Sequence, residues 1–252
     1  MVSTESPSGE NITYRAIKNE IKKERDRQGY VYTPKAQQII QLAENSGLEF
    51  VHAYSPNRAV EPQVVLVGDE DLIKDDRIKR FLSESLDAGL FDALLLEGAS
   101  AELPFSFKDS AREYLRELER KFLKTGFDCS RIRYNDCSEH VQFISLHLDI
   151  AQQEINKARA ARLKGEDQKA KECEDSAKAF LNPIKEWMTD RDVNYFAPAI
   201  ISEAKKGNKP YQIIGLRHIL RPDLLPALQK EKISYMTVMP KEIISSSNSQ
   251  HT

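Results

Sequence analysis

Strands that are apolar at every position constrain this chain more than any other feature, because such strands must be covered on both faces. Gln63–Val67 (QVVLV) and the end of FDALLLEG at 91–96 are of this kind, and Leu48–Tyr54 (LEFVHAY) reads as a further strand. Between the first two lie residues 72–88, where Ile78, Leu82 and Leu86 recur every four residues. That pattern is a helix, and strand, helix, strand is a βαβ unit. The alternation continues with a helical stripe over 109–124 (Ala111, Leu115, Leu118, Phe122) and a weaker strand at Cys129–Tyr134. YQIIG at 211–215, a helix over Pro222–Lys230 and ISYMTVMP at 233–240 complete it. The fold class is therefore α/β, a mainly parallel sheet covered by helices.

The remaining segments set the boundaries. Residues 1–30 read as a polar tail followed by a helix ending near Gly29, whose run KNEIKKERDR mixes acids with bases and reads as a solvated face. Thr33-Pro34 has the form of a helix cap with a first-turn proline, and Ile39, Ile40 and Ala43 form the inward stripe. Residues 31–242 form the α/β domain, with a helical arm inserted at about 138–180 and broken near Gly165, and 243–252 form a polar tail. A further helix is expected after Pro183, interrupted or restarted at Pro198, since proline disrupts a helix interior.

Composition excludes several classes of function. Lys plus Arg number 37 and Asp plus Glu 39, for a net charge of −2, so no global field draws the chain to nucleic acid. No apolar run approaches the ~20 residues of a membrane span. The first residues, MVSTESPSGENITYR, lack a basic segment and an apolar segment, so no secretory signal is expected. Three unevenly spaced cysteines (Cys129, Cys137, Cys173) fit reduced thiols, and a cytoplasmic location is expected.

In parallel sheets ligands bind at the carboxyl ends of the strands, which selects a short set of candidates. Strand 63–67 ends in Gly68-Asp69-Glu70-Asp71, strand 91–96 in Glu97-Gly98, strand 129–134 in Asn135-Asp136, and strand 211–214 in Gly215-Leu216-Arg217-His218. Two of these share a form: an apolar strand, a glycine that lets the backbone turn, two residues, then a side chain able to bind metal, Asp71 or His218. Asp69, Glu97 and His218 are expected on one edge of the sheet, the strands being ~4.8 Å apart. Each residue also has a structural alternative. Asp69 and Asp71 could cap the following helix, Glu97 could sit in a salt bridge, and His218 could be a satisfied loop histidine. Cys137, His140 and His147 lack zinc-site spacing and read as helix packing and surface, while Trp187-Met188 and Tyr195-Phe196 read as core.

Taken in order, LVGDEDL (66–72), DALLLEG (92–98), RDVNYFAPAI (191–200) and QIIGLRHILRPDLLPAL (212–228) resemble the erythromycin-esterase/ChaN/TraB-like superfamily, which includes the Tiki-type proteases. The resemblance spans roughly residues 60–240. It implies a metal-assisted hydrolase with Glu97 and His218 in the functional positions and Arg191 nearby to orient an anion or carbonyl. It also implies a divalent ion held by Glu97, His218 and Asp71 or Glu70. One departure stands out: the superfamily's first Gly-x-x-His motif is here Gly-x-x-Asp, ending at Asp71. The partner expected is a small molecule or peptide in a strand-end cleft. An alternative from another class is a non-catalytic ligand-binding or protein-interaction protein, such as a bacterial effector, meeting its partner through the helical arm.

Overall fold

A computed structural model describes residues 7–69, 76–97, 120, 131–134, 138–221 and 223–241. In chain order the elements are α1 (Pro7–Arg27), β1 (Val31–Tyr32), α2 (Pro34–Asn45), β2 (Leu48–Tyr54), β3 (Ala59–Val60), β4 (Val64–Asp69) and α3 (Asp76–Asp87). They continue with β5 (Ala93–Leu96), β6 (Ile132–Tyr134), α4 (Ser138–Leu163), α5 (Asp167–Asp190) and a π-helical turn (Arg191–Phe196). α6 (Ala197–Lys205), β7 (Pro210–Gly215), α7 (Leu216–Leu220), α8 (Leu224–Lys230) and β8 (Tyr235–Pro240) follow.

The α/β architecture read from the sequence is present. Six strands form one sheet in the order β2-β8-β4-β7-β5-β6, parallel throughout except for β2, which runs antiparallel to β8 at one edge. Helices cover both faces, which explains why β4, β5 and β8 are buried at every position. On one face Ile39 and Ala43 of α2 and Ile78, Phe81 and Leu82 of α3 pack on Val65, Val67, Leu94 and Tyr211. On the other, Phe196, Ile200, Ile219, Leu224 and Leu228 pack on Val64, Leu66, Leu95, Ile214 and Tyr235. Register fixes the rim that matters for function: Asp69 pairs with Gly215, so β4 and β7 end level, and Leu96 pairs with Ile213, so β5 ends two residues short of them and Glu97 follows alongside the end of β7.

The arm is a helical hairpin. α4 and α5 turn at Gly165, whose φ of +73° suits glycine, and they approach along a seam of buried alanines at 151, 158, 161, 170 and 177. Arg162 and Glu174 join the two helices across this hairpin at 2.5 Å. Thr33 caps α2 as expected, its Oγ1 accepting from the Ala36 N–H at 3.3 Å.

Several expectations are corrected. Pro183 lies inside α5 and starts no new helix. Its missing N–H costs one backbone bond, and α5 continues because Ala177 and Met188 are buried on either side of it. Pro198 does sit in the first turn of a new helix, α6. α1 begins at Pro7, within the stretch read as tail. Its charged run is only in part a solvated face: Lys18 is buried, donates to the Pro240 and Lys241 carbonyls at 3.1 and 3.0 Å and pairs with Glu49 at 2.7 Å. Arg25 likewise stacks on Phe50, 4.8 Å from the ring centre. The two-stranded parallel ladder of β1 and β3 has no forecast in the sequence. The helix expected over 109–124 lies outside the described residues but for position 120. Among the described residues no helix is long and apolar enough to cross a membrane.

Candidate functional site

Glu97 follows β5 directly, and its backbone N–H continues the ladder to the Ile213 carbonyl at 3.1 Å. Its carboxylate is thereby aimed at the end of β7. There Oε2 accepts the Gly215 N–H at 2.5 Å. A Cβ on residue 215 would stand 3.1 Å from that same oxygen, so glycine is what lets the carboxylate dock. At the end of β4, a Cβ on Gly68 would lie 2.6 Å from a methyl of Leu216, the first residue of α7. Neither glycine has a positive φ. Both admit a close neighbour, where a sharp turn was expected.

His218 lies on α7, a five-residue helix that springs from β7 where a loop was expected. Its Nε2 is 3.2 Å from Glu97 Oε1, across 121 residues of sequence. Arg191 Nη2 donates to that same oxygen at 2.7 Å. Arg191 is buried, with Nη1 on the Met188 sulfur at 3.3 Å and its guanidinium 5.3 Å from the centre of the Phe196 ring. The edge of Phe196 in turn meets the His218 ring, with centroids 4.9 Å apart. The three residues singled out from the sequence, Glu97, His218 and Arg191, therefore share one cluster on the carboxyl rim. Asp69, the neighbour of Gly215 in the register, is buried beside it. Glu70 and Asp71 lie outside the described residues.

The residue the sequence reading missed is Asp192. It is fully buried, and its Oδ1 hydrogen-bonds His218 Nδ1, while Oδ2 has no hydrogen-bond partner among the described residues. On an ordinary helix Asp192 and Phe196, four residues apart, share a face, while Arg191, five residues from Phe196, is turned away from it. The π-helical turn widens the repeat, so Arg191, Asp192 and Phe196 are all buried while 193–195 face out. An adjacent Arg-Asp pair at a helix start was the only visible signal, and it also describes ordinary surface.

The electrostatics follow from this chain of contacts. Burial alone would raise the Glu97 carboxyl, but the charge and hydrogen bond of His218, the charge of Arg191 and the Gly215 N–H outweigh it. They hold the group well below the usual carboxylate range. Burial alone would lower His218, yet Glu97 and Asp192 on either side push it up to about 9. Asp192 is raised by burial, against the pull of His218. At neutral pH the imidazolium of His218 and the guanidinium of Arg191 therefore both face the ionised Glu97, with Asp192 on the other side of the imidazole and Asp69 buried nearby.

Among the described residues no group of three or more His, Cys, Asp and Glu is arranged to hold a metal ion. The donor chemistry agrees with that. Both nitrogens of His218 already face carboxylates, and Glu97 Oε1 serves both His218 and Arg191. A metal-bound imidazole must be neutral and a metal-bound carboxylate needs a free lone pair. The described residues as arranged do not fit a divalent ion. Among the described residues the other histidines form no second cluster. His140 faces Asp190 at 3.3 Å and the Tyr195 edge, and His147 packs on Phe180 and Trp187. Of the residues read as core, Met188 and Phe196 are buried and Tyr195 is exposed.

Comparison with protein-family models, with curated proteins and with solved structures yields no match to this chain.

Proposed function

We propose that the chain is a hydrolase of the superfamily its motifs resemble, cleaving an ester, amide or similar carbonyl bond at the Glu97–His218–Arg191 cluster. The observation that carries this reading is the approach of His218 Nε2 and Arg191 Nη2 to one oxygen of Glu97, at 3.2 and 2.7 Å, on the carboxyl rim of a parallel sheet. Carbonyl hydrolysis needs positive groups where the oxyanion develops and a proton for the leaving group. Arg191 supplies the first. His218, charged at neutral pH, supplies the second, and once neutral it takes a proton from the water that attacks the carbonyl carbon, so that the net change is addition of water across the broken bond. Glu97, ionised and strongly held, is a weak base, so its part is to position the two cations.

The test is a panel of chromogenic esters, amides and peptides assayed with the native chain, Glu97→Gln and His218→Asn. The native chain should turn over at least one class, and both variants should lose on the order of 10²–10⁴-fold in rate. A folded native chain inactive on the whole panel, or variants as active as native, would remove the reading.

A second reading has its own support. Both nitrogens of His218 and both oxygens of Glu97 are already bonded within the protein, as in a structural ion-pair cluster. On that reading the chain is a non-catalytic binding or interaction protein. Inactivity on the panel, together with a large stability loss in Glu97→Gln, would favour it.

A further inference from the structure

The superfamily resemblance calls for a divalent ion beside Glu97 and His218, and the geometry points to a different occupant. We propose that the guanidinium of Arg191 stands where that ion would stand, so that the centre is metal-independent and becomes a cation site only when the arginine is removed. The inference takes from the proposed function only the identity of the cluster, and it is read by metal binding rather than by turnover.

Three observations carry it. First, Glu97 Oε1, the oxygen that faces His218 Nε2, is the one Arg191 Nη2 occupies at 2.7 Å. An ion shared by Glu97 and His218 would have to enter that same space, against a fixed positive charge. Second, Arg191 is built in. Its exposure is 5%, Nη1 rests on the Met188 sulfur at 3.3 Å, and its guanidinium is 5.3 Å from the centre of the Phe196 ring. An arginine that swung aside for an ion would have to leave contacts made by both α5 and the π-helical turn. Third, Glu97 already has its cation: Arg191 lies on Oε1, and His218 faces the same oxygen with Asp192 on the far side of its ring. A dication entering there would be repelled by the fixed guanidinium, a repulsion that a low-dielectric interior strengthens.

Removing Arg191 reverses each of these effects. It frees a lone pair on Glu97 Oε1 and leaves a buried carboxylate without its main cation. It also leaves His218 Nε2 facing that carboxylate at 3.2 Å, with Asp192 still holding the ring from its Nδ1 side.

The experiment uses the full chain and Zn²⁺ or Mn²⁺ alone as probe. Native protein, Arg191→Met, Arg191→Lys and the double variant Arg191→Met/Glu97→Gln are dialysed against each ion, analysed for bound metal and titrated calorimetrically. Folding is checked by circular dichroism. Native protein and Arg191→Lys should take up no stoichiometric ion. Arg191→Met should bind one with an affinity higher by on the order of a hundredfold or more, from loss of one adjacent charge, and the double variant should lose that gain. Stoichiometric metal on native protein would overturn the inference, as would a folded Arg191→Met with native-like metal affinity. If Arg191→Met does not fold, Arg191→Lys and the native chain still decide. Lysine keeps the charge but not the planar fork, so a tight ion on either would overturn the inference, and its absence from both would support it.

Discussion

His218 offers the sharpest quantitative test of the cluster, because two carboxylates hold its proton in the folded state and nothing does in the unfolded chain. Its folded value of about 9 lies above the ordinary 6.5. The sign follows directly: a raised value means that the folded state binds the proton more tightly, so the contribution is complete below pH 6.5. It declines as pH rises from 6.5 and is gone above 9. Each tenfold gain in proton affinity on folding is worth about 1.4 kcal/mol, which makes the full contribution about 3 kcal/mol. Because other groups of the protein also titrate as pH is changed, the difference between native protein and His218→Asn is the quantity to follow. Urea unfolding of both proteins at intervals from about pH 5.5 to 10, monitored by circular dichroism, gives that difference across the window where His218 loses its proton. It should be flat at low pH, shrink between 6.5 and 9, and level off above. A difference that does not change with pH, or that grows as pH rises, would refute the imidazolium bridge between Asp192 and Glu97.

Other perturbations probe the scaffold around the cluster. Gly68→Ala places a Cβ 2.6 Å from a methyl of Leu216 and 3.2 Å from one of Ile219, so the buried side chains of α7 must move; a loss of about 1–3 kcal/mol in chemical unfolding is expected, with altered His218 ring resonances in NMR. Phe196→Ala empties a fully buried site that touches both Arg191 and His218. It should cost about 3–5 kcal/mol in urea unfolding, and a loss under about 1 kcal/mol would show that this ring is not core. Thr33→Ala removes the cap on α2 and, far from the cluster, should lower stability by about 1 kcal/mol while leaving the His218 resonances unmoved.

The sequence by itself determined the sheet. Val64–Val67, Leu94–Leu96 and Ile213–Ile214 are apolar at every position, as strands of a sheet covered on both faces must be, and in the structure they pair in parallel with their carboxyl ends within two residues of one another. That alignment is also why Glu97 and His218 could be placed on one rim from sequence order alone. Arg191 was legible only through a motif resemblance, and Asp192 was not legible at all. A π-helical turn has no composition of its own: Arg191–Phe196 reads as an ordinary helix start until packing on Leu95 and Ile214 selects the wider repeat that buries both charges. Lys18 shows the same limit, since its run looks solvated and only the nearness of Glu49 and of the carbonyls at the end of β8 makes its burial affordable. Periodicity reports which face of an element avoids water, because that cost is local and additive along the chain. Which charge meets which across the fold depends on distances that exist only after the sheet has assembled, and that is where the tertiary structure decided the site.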